Sequence, residues 1–92
     1  MFKLIFTDQY EKTEQQFLNQ HPELLDKYRS VLLSLEINPR QPSLRLHQLK
    51  GKLKKYHAVS INLSYRITLE LIITKQEIIP IAVGTHDNVY GR

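Results

Sequence analysis

The sequence predicts an α+β domain. Three patterns indicate this fold class: a short apolar run at the start, two stretches of helical periodicity, and three strand-like segments in the second half. The chain has 92 residues, which is the length of a single domain, and we predict one domain over residues 1–92. The order of these elements favours an N-terminal strand, a two-helix antiparallel hairpin and a three-stranded antiparallel meander, forming one sheet.

The first half of the chain supplies the first strand and both helices. The apolar run over residues 2–6 has strand character, and Asp8 is predicted to cap the first helix with Glu11 completing a capping box. Helical spacing continues to about Gln20, and Pro22 is predicted to open the second helix because proline suits the first helical position. That helix ends before Asn38, and so short a connection predicts a helical hairpin.

The second half reads as three strands, over residues 56–61, 65–73 and 78–83, with turns at 62–64 and 74–77. In the middle strand, alternation assigns one set of residues to the core face and a polar set to the other face. The core set is Tyr65, Ile67, Leu69, Leu71 and Ile73, and the polar set is Arg66, Thr68 and Glu70. Pro80 removes a donor from the last strand and predicts an edge, a bulge or irregular pairing.

Charge is distributed unevenly along the chain. The net charge is +4, yet residues 37–69 contain no Asp or Glu and hold most of the basic residues of the second half. We call residues 37–69 the acid-free segment. Such a segment indicates a polyanionic partner, and RNA is the predicted one. The predicted RNA-binding residues are Arg45, Lys50, Lys52, Lys54 and Lys55.

Composition argues against several other classes of protein. The chain has no cysteine, so it can form neither a disulfide nor a thiolate metal site. Its histidines are scattered and its acids do not cluster, so we expect neither a metal nor a cofactor. The N-terminus lacks the pattern of a signal peptide and no apolar run is long enough to span a membrane. A cytoplasmic protein without a membrane partner is therefore predicted.

Arg66 is the first candidate for chemistry, because it lies on the polar face of its strand and its planar guanidinium matches a phosphate. The alternative is an ion pair with Glu70, but four strand residues separate the two by about 13 Å. His86 and Tyr90 follow the last strand, and His47 opens the lysine-rich loop. An imidazole can move protons at neutral pH, as RNA transesterification through the 2′-hydroxyl requires.

The remaining aromatic and histidine residues receive structural assignments. Tyr56 directly follows the lysine loop and is assigned to sheet packing, with base stacking as the alternative. His57 shares strand parity with Val59 and is predicted to be structural or solvated. His21 precedes a helix and is predicted to be a cap or a surface residue.

Four segments together resemble the RelE/ParE superfamily of bacterial type II toxins, nearest its YafQ-like branch. These segments are residues 46–51, 54–56, 64–67 and 83–90, the last containing Gly84-Thr85-His86. The resemblance covers essentially the whole chain and implies a microbial-RNase-like fold. It also implies an mRNA interferase, an endoribonuclease that cuts mRNA in the ribosomal A site without a metal.

The resemblance also implies roles for individual residues. Arg66 would bind the scissile phosphate, His86 would be the general acid, Tyr90 would be the C-terminal aromatic, and His47 would match a histidine of the YafQ-like branch. Three positions depart from that branch: Ser60 and Ser64 replace a His and an Asp, and Ala82 replaces an Arg.

The resemblance implies partners too: a cognate antitoxin, mRNA and the ribosome, with operator DNA bound only through the antitoxin. Two alternatives remain open from the sequence. One is a ParE-like inhibitor of DNA gyrase that performs no nuclease chemistry. The other is a degenerate toxin that survives as an antitoxin-binding co-repressor.

Overall fold

A computed structural model describes residues 1–85, and within them two helices cover one face of a five-stranded sheet. The helices are α1 (Asp8–Gln20) and α2 (Leu25–Ile37). The strands, in sheet order, are β1 (Lys3–Leu4), β5 (Glu77–Gly84), β4 (Arg66–Ile72), β3 (His57–Ser60) and β2 (His47–Gln48). The α+β fold class predicted from the sequence is confirmed.

The start of each helix differs from its prediction. Thr7 is the N-cap of α1, because its side chain accepts a hydrogen bond from the Tyr10 N–H at 3.1 Å. The predicted capping box of Asp8 and Glu11 is therefore wrong by one residue. Both acids lie in the first turn, where a carboxylate offsets the positive end of the helix dipole. Pro22 opens a 3₁₀ turn, Pro22–Leu24, and α2 begins only after it.

The meander of β3, β4 and β5 is antiparallel, as predicted. Two short strands extend it. β1 pairs with β5 in parallel, with Lys3 opposite Glu77, and β2 pairs with β3 antiparallel, with His47 opposite Ala58. Each of these strands has only two residues, which is too short to produce a periodic signal in the sequence.

The pairing of β4 with β5 is irregular at Pro80, as predicted. Thr68 lies opposite Ala82 and Leu69 lies opposite Pro80, so Ile81 has no residue opposite it and forms a bulge. The assignment of Ile73 to the core face is wrong. That residue lies beyond β4 in the 3₁₀ turn Ile73–Lys75, where it is 49% exposed.

The core lies between the helices and the sheet. Ile67 and Leu69 of β4 are fully buried, as alternation predicted, and pack with the apolar residues of both helices. The other principal members are Tyr10, Phe17, Tyr28, Val31, Leu35, Val59, Ile61, Ile78 and Val83. Burial of each such aliphatic side chain stabilises the fold by about 1.5–3 kcal/mol.

A polar chain of hydrogen bonds crosses from α1 to α2. The Tyr28 hydroxyl donates to the Glu14 carboxylate at 2.7 Å, and the hydroxyls of Tyr10 and Tyr28 are 2.6 Å apart. Because Tyr28 gives its only proton to Glu14, Tyr10 must donate to the Tyr28 oxygen. Both rings are buried, so the hydrogen bonds satisfy hydroxyls that water does not reach.

Candidate active site

The sheet face that the helices leave uncovered is organised in rows, since directly opposed residues point to the same side. One row contains His47, Ala58, Thr68 and Ala82, and the adjacent row contains Ser60, Arg66 and Gly84. We call these two rows the open sheet face. The predicted polar face of β4 is thereby extended to four strands, and it includes two of the four predicted catalytic residues.

Arg66 is at the start of β4, half-buried, between Ser60 on one side and Gly84 on the other. Neither neighbour carries a charge, and glycine has no side chain at all. Within the described residues Arg66 forms no ion pair, with Glu70 or any other acid. The predicted alternative, an ion pair between Arg66 and Glu70, is thus unsupported.

His47 is exposed on β2, and a backbone carbonyl two residues earlier in the chain holds its ring. Its Nδ1 is 2.9 Å from the carbonyl oxygen of Arg45, which can only accept. The proton must therefore be on Nδ1, and in the neutral ring Nε2 has a free lone pair. An imidazole in this tautomer is equipped to accept a proton.

His47 and Arg66 are two strands and two residues apart on the open sheet face. A strand spacing of about 4.8 Å and a rise of about 3.4 Å per residue place their Cα atoms about 12 Å apart. The structure therefore places these two predicted residues on the same face of the sheet.

The predicted lysines are on the turn between β2 and β3. Lys50, Lys52, Lys54 and Lys55 are all exposed. Leu49 is 8% exposed and anchors the turn, and its N–H donates to the Tyr56 carbonyl at 3.0 Å. The turn therefore presents its charges next to His47.

Gly51 and Tyr56 shape this lysine turn. Gly51 has φ +65°, which glycine adopts without strain. The Lys55 ammonium is 5.1 Å from the centre of the Tyr56 ring, so it forms a cation–π contact there. That contact occupies one face of the ring, which disfavours base stacking on that face of Tyr56.

Of the three positions that depart from the YafQ-like pattern, two lie on the open sheet face and one lies in a turn. Ser60 is opposite Arg66 and Ala82 is opposite Thr68, so both belong to the open sheet face. Ser64 instead lies in the turn that joins β3 to β4, where its N–H donates to the Asn62 side chain at 2.9 Å. His86 and Tyr90, the other two predicted catalytic residues, lie outside the described residues.

Thr68 is a feature of the open sheet face that alternation alone did not single out. It is 4% exposed, and its Oγ1 has no hydrogen-bond partner among residues 1–85. A buried hydroxyl without a partner costs about 1–3 kcal/mol. Alternation had placed Thr68 on the polar face beside Arg66, yet Thr68 and its neighbour Ala58 in the same row are both buried.

The other two described histidines have structural surroundings. His57 lies opposite Leu69, on the helix side of the sheet, and its Nδ1 is buried without a hydrogen-bond partner in the described part of the chain. Burial, followed by the positive charges of Arg40 and His47, lowers the pKa of His57 below its usual 6.5. His21 is the C-cap of α1 and packs on Phe17 and Tyr65, with ring centres 5.2 and 4.5 Å away. The prediction was a cap of the helix that follows or a surface residue, and at the 3₁₀ turn that follows it the His21 side chain makes no capping hydrogen bond.

A cleft of about 450 Å³ lies on the helix side of the sheet, between α1 and the end of β5. Phe17, His21 and Tyr65 form its aromatic wall. Tyr65 immediately precedes Arg66 but belongs to the core side of β4. Ala82 and Gly84 of the open sheet face also line the cleft, so it extends to the end of β5 that pairs with Arg66.

Among residues 1–85, no three His, Asp or Glu side chains come together as a group able to hold a metal ion. The absence of a metal and of a cofactor stays a prediction. In the same part of the chain, neither helix has the length and apolar character that crossing a membrane requires.

No protein-family profile matches the sequence, and no curated protein matches it. Solved structures do. A YafQ point mutant from Escherichia coli has a TM-score of 0.81 at 18% identity, covering 99% of this chain and 100% of that one. A copper-bound mutant toxin from Helicobacter pylori has a TM-score of 0.73 at 24% identity, covering 97% and 99%.

A third similar structure is the YoeB–YefM complex from Staphylococcus aureus, with a TM-score of 0.71 at 18% identity and coverage of 94% and 98%. Each of these likenesses spans the neighbour almost completely, so the chain has the whole fold of these toxins. The fold that the resemblance implied is confirmed, since the chain shares it with YafQ and YoeB.

Proposed function

We propose that this chain, which shares the fold of the YafQ and YoeB toxins, is the toxin of a toxin–antitoxin pair and a metal-independent endoribonuclease acting on mRNA at the ribosome. The observation that carries the proposal is the open sheet face, which combines an arginine that forms no ion pair among residues 1–85 with a histidine in a proton-accepting tautomer. The exposed lysine turn lies next to that histidine and supplies positive charge for the RNA backbone.

The proposed reaction is an attack of a ribose 2′-hydroxyl on the adjacent phosphorus. His47 Nε2 accepts the hydroxyl proton, the 2′-oxygen–phosphorus bond forms, and the 5′-oxygen–phosphorus bond breaks. The products are a 2′,3′-cyclic phosphate and a 5′-hydroxyl. Because the nucleophile belongs to the RNA itself, the step requires neither a metal-bound water nor a cofactor.

Arg66 would stabilise the charge that accumulates on the phosphorane oxygens. Its guanidinium has no carboxylate partner within residues 1–85 that would have to be displaced, and preorganised electrostatic contacts of this kind are worth about 10²–10³-fold in rate. His86 would protonate the departing 5′-oxygen, and Tyr90 would contact the RNA nearby. β5, which pairs Gly84 with Arg66, ends two residues before His86 in the sequence.

The proposal is tested by incubating the purified protein with mRNA-programmed ribosomes, and separately with free mRNA, in excess EDTA. We expect cleavage within the A-site codon that leaves a cyclic phosphate and a 5′-hydroxyl. His86→Gln should lose most of this activity, because glutamine cannot deliver a proton. Intact mRNA in both reactions would contradict the nuclease proposal. Inhibition of gyrase supercoiling under the same conditions would favour the ParE-like alternative.

A further inference from the structure

A basic pocket, separate from the cleft beside α1, adjoins the open sheet face on the side of β3 away from the lysine turn. It has a volume of about 280 Å³ and is lined by Lys27, Ser43, Arg45, Ser60 and the β3–β4 turn at Ile61, Asn62 and Leu63. The lining includes two cations, two hydroxyls and an amide, and no carboxylate. Hydroxyls and cations without an acid among them are the groups that bind a phosphate.

The local fold explains why Ser43 and Arg45 both line this pocket. Between them Leu44 is 2% exposed and belongs to the core, whereas both neighbours are exposed. The buried leucine therefore anchors the 3₁₀ turn Pro42–Leu44 and leaves the residues on either side at the surface.

Arg45 itself has a left-handed backbone, with φ 53° and ψ 44°. A non-glycine residue in this conformation is strained and persists only where its surroundings hold it. Here the Arg45 N–H donates to the Pro42 carbonyl at 3.1 Å, and the Arg45 carbonyl accepts from His47 Nδ1 at 2.9 Å. The same backbone unit thus positions one cation of the pocket and fixes the tautomer of the proposed base.

Ser60 joins the pocket to the candidate site. It lines the pocket and is also directly opposite Arg66 across β3 and β4. Directly opposed residues have Cβ atoms about 4.5–5.5 Å apart, so an anion in the pocket lies next to an anion at Arg66. Neither Lys27 nor Arg45 forms an ion pair within the described residues, so both charges are uncommitted.

We propose that this pocket is a second phosphate subsite, which binds a phosphate of the nucleotide neighbouring the cleavage position. Arg45 and Lys27 neutralise the phosphate while the hydroxyls of Ser43 and Ser60 donate to its oxygens. The assignment of RNA as the ligand rests on the proposed function; the binding of a phosphate rests on the pocket alone. Held at two adjacent phosphates, the strand would be kept in register with His47.

The test measures binding without cleavage. A fluorescein-labelled 2′-O-methyl hexanucleotide has no free 2′-hydroxyl, so the proposed reaction cannot occur on it, and anisotropy reports its affinity over a range of salt concentrations. Lys27→Gln should weaken binding about tenfold and lower the salt slope by about 0.7, the value expected for one lost phosphate contact. Arg29→Gln, the matched control on the same helix, has the same change of charge outside the pocket and should leave the slope as it is.

A second variant separates the side chain of Arg45 from its backbone. Arg45→Gly deletes the guanidinium and accommodates the left-handed conformation, so it should weaken binding about tenfold without lowering the melting temperature. If Lys27→Gln and Arg45→Gly both bind the oligonucleotide like the wild type, the subsite does not exist, whether or not the protein cleaves RNA.

Two further outcomes distinguish the inference from the proposed function. If wild-type protein leaves mRNA intact but both pocket variants lose affinity for the oligonucleotide, the nuclease proposal fails and the phosphate subsite stands. If the variants keep their affinity for the oligonucleotide but lose affinity for a hexaglutamate peptide, the pocket receives protein carboxylates and the inference is overturned.

Discussion

Arg66 illustrates how a residue's neighbours determine its chemistry. It stands between a serine and a glycine on an acid-free stretch of sheet, so its charge has no partner in the described part of the chain. A surface ion pair contributes only about 0–1 kcal/mol to stability, and here even that contribution is absent. The charge therefore gains more from an external anion than from the protein itself.

We predict that Arg66→Ala abolishes RNA cleavage and growth inhibition while the protein stays folded. The loss should be at least about 10²-fold, and Arg66→Lys should recover only part of it, because lysine keeps the charge but lacks the bidentate fork. Cleavage rates and thermal melts of both variants check this, with Arg29→Ala as the control on α2. An Arg66→Ala protein that is as active and as stable as wild type would remove Arg66 from the mechanism.

His57 gives a prediction about acid stability. Its pKa is lowered by burial and then by Arg40 and His47, so the folded protein resists protonation that the unfolded chain accepts near 6.5. The unfolded state then binds more protons, and the free energy of unfolding falls as the pH drops below that value. The stabilisation is fully present above pH 6.5 and is lost as the pH falls through the folded pKa.

Urea unfolding at a series of pH values between neutral and mildly acidic checks this effect. The slope of stability against pH should be smaller in His57→Gln than in wild type, because the variant cannot take up the proton. His21→Gln removes a histidine from the end of α1 and should leave the His57 contribution in place. Equal slopes in wild type and His57→Gln would show that the imidazole is hydrated in the folded state.

At the scale of elements, the helix pair depends on the hydrogen bonds between Tyr10, Tyr28 and Glu14 as well as on apolar packing. We predict that Tyr28→Phe destabilises the protein by about 1–3 kcal/mol, because it leaves the buried Tyr10 hydroxyl without an acceptor. Tyr10→Phe should cost only about 0.5–1.5 kcal/mol, since Tyr28 still donates to Glu14. Equal losses for the two variants in urea unfolding would contradict the direction assigned to the hydrogen bonds.

The same residues predict a loss of stability at alkaline pH. Burial raises the pKa of both tyrosines above the ordinary value of 10.0. A raised pKa means that the stabilisation is present below pH 10.0 and is lost as the pH rises beyond it, because only the unfolded chain ionises. Tyr10→Phe/Tyr28→Phe should show a shallower decline than wild type when unfolding is followed between pH 9 and 11, a range of about one unit on either side of the ordinary value.

Elements were predictable where the periodic signal was long. Both helices and the meander follow from spacing, and alternation in β4 placed Arg66 on the face opposite Ile67. The two-residue strand at His47 has no such signal, because its pairing with Ala58 depends on where the lysine turn closes. The row that joins His47 to Thr68 is thus a product of register between strands, which local patterns do not specify.

The candidate site was predictable from the sequence only in part. The acid-free segment indicated the basic surface, strand alternation indicated Arg66, and a position before the lysine-rich loop indicated His47. Strand pairing then places both residues on one sheet face. The second pocket was not predictable, because Lys27 comes from α2 and lies outside the acid-free segment. The left-handed backbone at Arg45 was not predictable either, because the position holds neither glycine nor asparagine, the residues that usually adopt this conformation.

At the scale of the whole molecule, charge is separated between the two halves of the chain. Most acids are on or near the helices, whereas the lysine turn and the open sheet face carry cations. A basic surface that cuts RNA would inhibit the growth of its own cell unless something covers it. We therefore predict an acidic antitoxin whose segment occupies the open sheet face, and such segments commonly fold as they bind.

If a small acidic protein is encoded beside this chain, co-expression of the two should yield a stable complex, and expression of this chain alone should arrest growth. Because the interface pairs opposite charges, the association rate should fall steeply with rising salt. Lys52→Gln and Lys54→Gln on the lysine turn should weaken both the complex and RNA binding, whereas Lys12→Gln on α1 should affect neither. Fast growth of cells that make this protein alone at high level would contradict the toxin proposal itself. Arrested growth combined with salt-independent binding would instead place the antitoxin on an apolar surface away from the open sheet face.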